Sequence, residues 1–504
     1  MNPTVLRSRL ATLLLIGSTL GQWACAVPLT EGYRIVKESR EVRFVIGQPP
    51  ELRIRARYTL ENSGNGDLNF VDVNVPDERL FGRKRLRVEV DGRETTLTNP
   101  PPPEYRQEAR STFRLPFNPP WTRKQARELL IEYSLSSPED SGTRITLSED
   151  SFHLGSRGWY PLPQPPNHPF ASYPSRPDRA LLSVRVPESF RLLARGTLAR
   201  REQSGDEIEY RFELRKQDLT PFVAAGRYVE SSSNHKSGAG VFWTLEPLTQ
   251  DASDAVEQIT AVWNILQTDF GSLDRNLAAP HVLEAPGLEE HITGEAGPAA
   301  APFPGGALIN PAALALGLDS DEFLGRVTHA LAHDWFGDQI FAAPDAALGM
   351  GEGLPEYAAI VVEAARKGDV GRRRLIVEYL SEYDDARQRA AETPLAITMM
   401  SDSPDERRIA LAKAPLFYVA LEDACGPRQM QGGLQHLVTL LRGQQASYNS
   451  LRSALEQSSG RDLAKLFRVW LNDRDVPQDF RSRYQGEAGI AEKSSIEELA
   501  KPSL

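Results

Sequence analysis

The hydrophobic period changes once along this chain of 504 residues. Between about residues 33 and 228, apolar side chains alternate with polar ones, for example at 34–45 and 52–60, which predicts strands. Beyond a polar link at 231–240, apolar side chains recur every three or four residues, which predicts helices. We therefore expect an α+β multidomain protein with an N-terminal antiparallel β domain.

The same patterns divide the chain into five segments. They are a signal peptide at 1–26, a β domain at 27–232, an α/β domain at 233–400, a helical segment at 401–485 and a polar tail at 486–504. With 40% hydrophobic residues, the chain is too apolar for a disordered protein. Its net charge of −10 argues against nonspecific nucleic-acid binding, which requires a basic surface.

The N-terminus has the form of a secretory signal. Arg7 and Arg9 precede a short apolar run, and Ala24-Cys25-Ala26 has the small residues of a cleavage site. A lipid anchor on Cys25 is the alternative interpretation. No later stretch has about 18 consecutive apolar residues, so we expect no membrane span. The prediction is an exported protein, periplasmic or extracellular, or one anchored to the envelope by lipid.

One helical stretch has the spacing of a metal site. His329 and His333 are four residues apart, so both imidazoles lie on one helix face and can bind one ion. Glu352 follows 19 residues after His333 and is the candidate third ligand. Two histidines, one carboxylate and one open position are typical of a catalytic zinc site. Glu356, one helical turn further on, is a candidate to orient a histidine ligand.

The surroundings of these ligands resemble those of the gluzincin metallopeptidases, and within them the alanyl aminopeptidase (M1) family. The resemblance is carried by Trp335-Phe336-Gly337 after the second histidine and by Glu352-Gly353. It extends over about residues 30–480 and is strongest at 325–357. It implies a thermolysin-like domain at 233–400, one zinc ion, and aminopeptidase activity on peptides.

The chain departs from that family at two catalytic positions. Where the family has its general base, directly after the first histidine, this sequence has Ala330, and a methyl group cannot take up a proton. Where the family has its transition-state tyrosine, two residues before a lysine, this sequence has Leu411 ahead of Lys413. Leucine cannot donate a hydrogen bond to an oxyanion. No catalytic residue of the family pattern is therefore intact.

The segment that grips the substrate's amine in the family is also missing. By spacing it falls on 300–303, with Pro302 in place of the glutamate, and an alternative alignment on 306–310 places Ile309 there. Neither alignment supplies a carboxylate. Three acidic residues of a nearby glycine-rich loop at 287–306 are candidate cleft residues, although a solvated loop is the simpler interpretation: Glu289, Glu290 and Glu295.

Three functions remain open from the sequence. The first is an exported aminopeptidase-like protein whose zinc cleft binds peptides or a partner protein but has lost most of its catalytic power. The second is a working zinc metallopeptidase with a substitute base, supplied for example by the 287–295 loop. Asp334 is disfavoured as that base because it lies on a different helix face from His333. The third is a structural envelope protein without metal.

Overall fold

The structure is a computed structural model. The structure describes residues 32–76, 86–98, 110–136, 145–155, 159–164, 177, 179–215, 222–232, 240–248, 252–273, 280–288, 299–400 and 403–485. The predicted signal peptide at 1–26, with Cys25, and the predicted polar tail at 486–504 lie outside these residues.

Strands fill the N-terminal half of the described chain and continue into the second half. They are β1 (Tyr33–Val45), β2 (Glu51–Asn62), β3 (Leu68–Pro76), β4 (Arg87–Val90), β5 (Arg93–Thr95), β6 (Arg110–Trp121), β7 (Ala126–Leu135), β8 (Ile145–Leu147), β9 (Ser151–Leu154), β10 (Leu162–Gln164), β11 (Arg179–Pro187), β12 (Arg191–Ala194), β13 (Thr197–Ser204), β14 (Glu207–Arg215), β15 (Val223–Gly226), β16 (Val229–Ser232), β17 (Val241–Thr244), β18 (His281–Glu284), β19 (Ala300–Phe303), β20 (Gly306–Ile309), β21 (Phe341–Ala342) and β22 (Gln445–Ala446).

The described strands of the N-terminal domain form three sheets. Their strand orders are β13-β14-β11-β1-β2-β7-β4-β5, β10-β3-β6 and β12-β15-β9-β8. In β2, every second side chain from Leu52 to Leu60 is buried, as the alternating sequence requires. The prediction of an antiparallel domain needs one correction, because β1 and β11 pair in parallel. More than 130 residues separate these two strands, so no hairpin fixes their relative direction.

Helices dominate the second half of the chain. They are α1 (Ala252–Phe270), α2 (Pro311–Leu314), α3 (Asp321–Ala332), α4 (Ala347–Gly351), α5 (Gly353–Arg389), α6 (Pro404–Cys425), α7 (Pro427–Leu440), α8 (Tyr448–Ser459), α9 (Ala464–Asn472) and α10 (Gln478–Gln485). Short 3₁₀ turns lie at Pro344–Ala346 and Leu395–Met400. None of the helices in the described part of the chain is long and apolar enough to cross a bilayer.

A mixed five-stranded sheet supports these helices, in the order β16-β17-β18-β20-β19. Because β16 pairs with β17, the domain boundary drawn at 232 and 233 moves toward the N-terminus. The helices before and after residue 400 share one hydrophobic core, which includes Trp263, Leu331, Tyr357 and Phe417. Residues 401–485 therefore complete the second domain and do not form a separate unit.

A chain of buried polar groups joins the two domains. Thr146 Oγ1 lies 2.6 Å from Nδ1 of His153, and Nε2 of the same ring lies 2.5 Å from the hydroxyl of Tyr228. That hydroxyl donates to the carbonyl of Glu284 in β18 at 3.0 Å. Burial lowers the pKa of His153 to about 3, so its ring is neutral. Nε2–H then donates to Tyr228, and Nδ1 accepts from Thr146.

The start of α5 packs closely on α6 through a glycine. A Cβ at Gly353 would lie 2.6 Å from the Cβ of Ala414 and 3.1 Å from the Tyr418 ring. The backbone of α5 can approach α6 this closely only without a side chain at position 353. This contact fixes the helix that begins directly after Glu352.

We expect Gly353→Ala to destabilise the protein by about 1–3 kcal/mol, because the added methyl group overpacks this contact. Gly325→Ala is the matched control, since nothing lies within 4 Å of a Cβ at that position in α3. Alanine there should raise stability by about 0.5–1 kcal/mol through its helix propensity. Urea unfolding followed by circular dichroism measures both. Equal effects of the two substitutions would contradict the close packing of α5 on α6.

Candidate metal centre

The helix α3 carries the predicted ligand His329 in its last turn, and the second predicted ligand, His333, is the residue that caps its C-terminal end. The helix begins after Ser320, whose hydroxyl accepts from the backbone N–H of Phe323 at 3.1 Å. The apolar residues of 321–336 have the period of one continuous helix, but α3 ends at Ala332 and is followed by a π-helical turn at Asp334–Gln339. The difference arises because Phe336 adopts non-helical dihedral angles, although its apolar side chain continues the helical period. His329 and His333 still lie one above the other.

Three donor atoms converge at this face of α3. Nε2 of His329 and Nε2 of His333 are 3.1 Å apart, and Oε2 of Glu352 lies 3.4 Å from the first and 3.3 Å from the second. Tetrahedral zinc with bonds of about 2.0–2.1 Å has its ligand atoms about 3.3–3.4 Å apart. The three atoms thus form one face of such a tetrahedron, and the residues fit one zinc ion. The fourth vertex of the tetrahedron is the position for another ligand.

Glu356 supports His329 from the other side of the ring. Its Oε1 lies 3.0 Å from Nδ1 of His329, and its Oε2 accepts a hydrogen bond of 2.5 Å from the hydroxyl of Tyr379. Metal-bound histidines commonly contact a carboxylate through their second nitrogen, which fixes the ring orientation. The structure therefore places the Glu356 carboxylate beside Nδ1 of His329.

The charges of the cluster suit a cation. Burial lowers the pKa of His329, but Glu356 and Glu352 overcome this effect and raise it to about 10. Burial raises the pKa of Glu352, but His333 and His329 hold it well below its usual range. Zinc and protons therefore compete for the same nitrogens. A zinc ion bound here supplies Lewis-acid polarisation of a carbonyl oxygen.

The positions of the family's base and tyrosine carry apolar side chains in the folded protein. Ala330 is buried, with 1% of its surface exposed, and Leu411 packs half-buried against the core. Asp334 is engaged elsewhere, since both of its carboxylate oxygens accept from the backbone N–H of Gly305, at 2.9 and 3.0 Å.

The segment aligned with the amine grip forms an edge strand. Residues 300–303 make up β19, which pairs with β20 and packs on α3. Pro302 lies in this strand, and a proline on an edge removes one backbone donor. The alternative alignment falls on β20, an inner strand. The candidate cleft residues Glu289, Glu290 and Glu295 lie outside the described residues.

Two residues near the site are not found by sequence spacing. Tyr379 reaches Glu356 only because α5 bends at Gly368, where φ is +66°, and its second half returns beside the first. The sequence does show Gly368 within a helical pattern, which could have indicated the bend. Gly337 approaches the second ligand, and a Cβ there would lie 3.2 Å from Nδ1 of His333.

Comparisons with known proteins agree with this geometry. Residues 308–470 match the model of the peptidase family M1 domain. The crystal structure of an M1 zinc metallopeptidase from Deinococcus radiodurans superimposes with a TM-score of 0.58 and 16% identity, covering 89% of this chain and 95% of that one. A glutamate-to-alanine mutant from the same organism, bound to a Tyr-Ser-Ala substrate, gives a TM-score of 0.59 and 16% identity over 88% and 95%. No curated protein matches the chain in sequence.

We expect the purified protein to bind one zinc ion, and His333→Ala or Glu352→Ala to abolish stoichiometric binding because two donors cannot hold the ion alone. Metal analysis after dialysis measures this, with His436→Ala in α7 as the control that keeps the metal. Zinc at about 100 times its dissociation constant should stabilise the fold by about 2.7 kcal/mol. Retained zinc in both ligand variants would contradict the assignment.

Tyr379→Phe and Glu356→Gln should each weaken zinc binding, by up to about 10–100-fold for the glutamate, because both hold the His329 ring in place. Competition with a chromophoric chelator measures the affinity. Tyr383→Phe tests the effect of losing a hydroxyl elsewhere on α5, since its hydroxyl contacts Glu392 and not Glu356. If Tyr379→Phe and Tyr383→Phe bind zinc equally well, Tyr379 has no role at the metal.

Proposed function

We propose that the protein is an exported, zinc-binding M1 metallopeptidase homologue whose cleft binds peptides but hydrolyses them poorly, since residues 308–470 match the model of the peptidase family M1 domain. The observation that carries this proposal is a complete set of ligands around a missing base. His329, His333 and Glu352 converge, while Ala330 stands between the two histidines in sequence.

The missing groups have a large expected effect on rate. Loss of one general acid–base group costs about 10²–10⁴-fold. Loss of one hydrogen-bond donor to an oxyanion, as at Leu411, costs about 10²–10³-fold. Acting independently, the two losses would slow peptide hydrolysis by about 10⁴–10⁷-fold, and such effects are rarely fully additive. Both groups act on the rate of hydrolysis, so their loss does not by itself prevent a peptide from binding in the cleft.

Among the described residues, the carboxylates of Glu356 and Asp334 do not replace the base. Glu356 contacts Nδ1 of His329, on the side of the ring opposite to the nitrogen that faces the metal. Asp334 holds the backbone of Gly305. A carboxylate committed to such a contact is not free to move a proton at the open position of the metal.

Two observations support peptide binding. Among the described strands, β19 has a partner on one side only, and a free strand edge can pair with an extended peptide. The D. radiodurans peptidase binds a Tyr-Ser-Ala substrate in a mutant where alanine replaces a glutamate. A cleft of this fold can therefore hold a peptide when one glutamate is missing.

Export follows from the N-terminal sequence. Arg7, Arg9 and the small residues at 24–26 have the pattern of a signal peptide, and we place the mature protein outside the cytoplasm. Lipidation at Cys25 is the alternative. Mass spectrometry of the mature N-terminus after expression in a bacterial host distinguishes the two: cleavage after Ala26 supports free export, a lipid on Cys25 supports anchoring, and an uncleaved chain contradicts both.

Ala330→Glu should raise peptide hydrolysis above that of the zinc-loaded wild type, since it restores a carboxylate beside the metal. Ala330→Gln is the matched control because it adds the same volume without a base. Turnover of aminoacyl reporter amides measures the gain, and metal analysis of each variant excludes loss of zinc. The gain should remain below ordinary enzyme rates of about 1–10³ per second, because Leu411 still lacks a hydroxyl.

The proposal predicts that wild type and His329→Ala hydrolyse the reporters equally slowly. Ordinary turnover by wild type that His329→Ala abolishes would show a working peptidase with another base. Calorimetric titration of the zinc-loaded wild type with the tripeptide Tyr-Ser-Ala tests binding separately.

A further inference from the structure

The turn that follows His333 is tied to the edge hairpin of the sheet. Asp334 is the next residue in the chain and is almost fully buried, with 2% of its surface exposed. Its two carboxylate oxygens accept from the N–H of Gly305, which lies in the turn between β19 and β20. Gly305 has φ of +94°, a conformation that favours glycine and turns its N–H toward the carboxylate. One residue therefore connects the metal helix to the edge hairpin.

The N-terminal domain holds both of these elements. The guanidinium of Arg195 pairs with Asp338 in the π-helical turn, and both side chains are at most 10% exposed. The ring of Phe222 stacks on Phe303 of β19 with centroids 4.3 Å apart and planes 9° from parallel. Arg195 and Phe222 are neighbours, because the N–H of Arg195 donates to the carbonyl of Phe222 at 3.1 Å.

These contacts link three elements in pairs, like the sides of a triangle. The elements are the exit turn after His333 (Asp334–Gln339), the hairpin β19–β20, and the Arg195–Phe222 edge of the N-terminal domain. Asp334 supplies the side between the exit turn and the hairpin. Two of the three sides are made by buried charged groups, which are costly to leave unpaired. The arrangement therefore fixes where β19 lies with respect to α3, on which it packs.

We propose that Asp334 is a positioning residue that sets the distance between the metal centre and the edge strand β19, and so determines how well the cleft holds a peptide. This inference rests on the proposed function. It assigns Asp334 no contact with the peptide or the metal. A carboxylate at this position acts by accepting the Gly305 N–H, so an amide oxygen in the same place should largely replace it.

The consequence for Asp334→Ala is specific. Without the acceptor, the N–H of Gly305 loses its partner in a buried site, and the hairpin is released from the exit turn. His329, His333 and Glu352 keep their own supports, since α3 and the Gly353 contact are untouched. Loss of the acceptor should therefore weaken peptide binding more than metal binding.

The test compares Asp334→Ala, Asp334→Asn and wild type as full chains loaded with zinc or cobalt. Hydrogen exchange followed by mass spectrometry measures protection of residues 299–309, and the visible spectrum of the cobalt form reports the ligand geometry. Calorimetric titration with Tyr-Ser-Ala measures peptide affinity. Asp369→Asn, at an exposed position, is the control for a change of charge alone.

We expect Asp334→Ala to exchange faster at 299–309 and to bind the tripeptide about tenfold or more weakly, with an unchanged cobalt spectrum. Asp334→Asn should restore most of the protection and affinity. The inference is overturned if Asp334→Ala matches wild type in exchange and affinity, or if Asp334→Asn is as impaired as Asp334→Ala. It is also overturned if Asp334→Ala alters the cobalt spectrum while exchange at 299–309 is unchanged.

The exchange measurement separates this inference from the function on which it rests. If wild type binds no tripeptide, the proposed peptide binding fails. The role of Asp334 in holding the hairpin then stands or falls by the exchange at 299–309 alone.

Discussion

Three donor atoms meet within 3.4 Å of one another, two from the C-terminal end of α3 and one from the junction of α4 and α5, and most of the second domain is arranged around that convergence. The helical spacing of His329 and His333 aligns two of the atoms, but Glu352 arrives from another element. Its segment can come close because glycine at 353 lets α5 press against α6. Two half-buried imidazoles and two half-buried carboxylates lie in this cluster, and a cation or shared protons stabilise them together.

The ligand set was accessible to sequence reasoning because its chemistry is local. Two histidines four apart need only a helix, and Glu352 needed only a resemblance in spacing. The alternation of 52–60 likewise predicted β2, because one buried face is enough to fix a strand. The parallel pairing of β1 with β11 was not accessible, since it depends on contacts between residues that are far apart in the chain.

The structural features that the sequence did not predict lie mostly at turns and bends of the backbone. The strand β19 falls in a stretch rich in glycine and alanine, which has no period of its own, and only pairing with β20 makes it a strand. Tyr379 reaches Glu356 through the bend at Gly368. From the sequence, Asp334 is only an acidic residue next to a predicted ligand. Its hydrogen bond with the backbone N–H of Gly305 is seen only in the folded protein. In each case a long-range contact decides what the residue does.

The buried relay from Thr146 through His153 and Tyr228 to Glu284 has a consequence for how the two domains find each other. The Thr146 hydroxyl, the His153 ring and the Tyr228 hydroxyl each donate one hydrogen bond, and the Glu284 carbonyl accepts the last of them, so a rotation between the domains would leave the buried Tyr228 hydroxyl without its acceptor. A fully satisfied buried network of this kind rigidifies the contact and specifies one arrangement of its groups. Orientations of the two domains that break this hydrogen bond cost free energy, so the relay favours one docking angle between the domains.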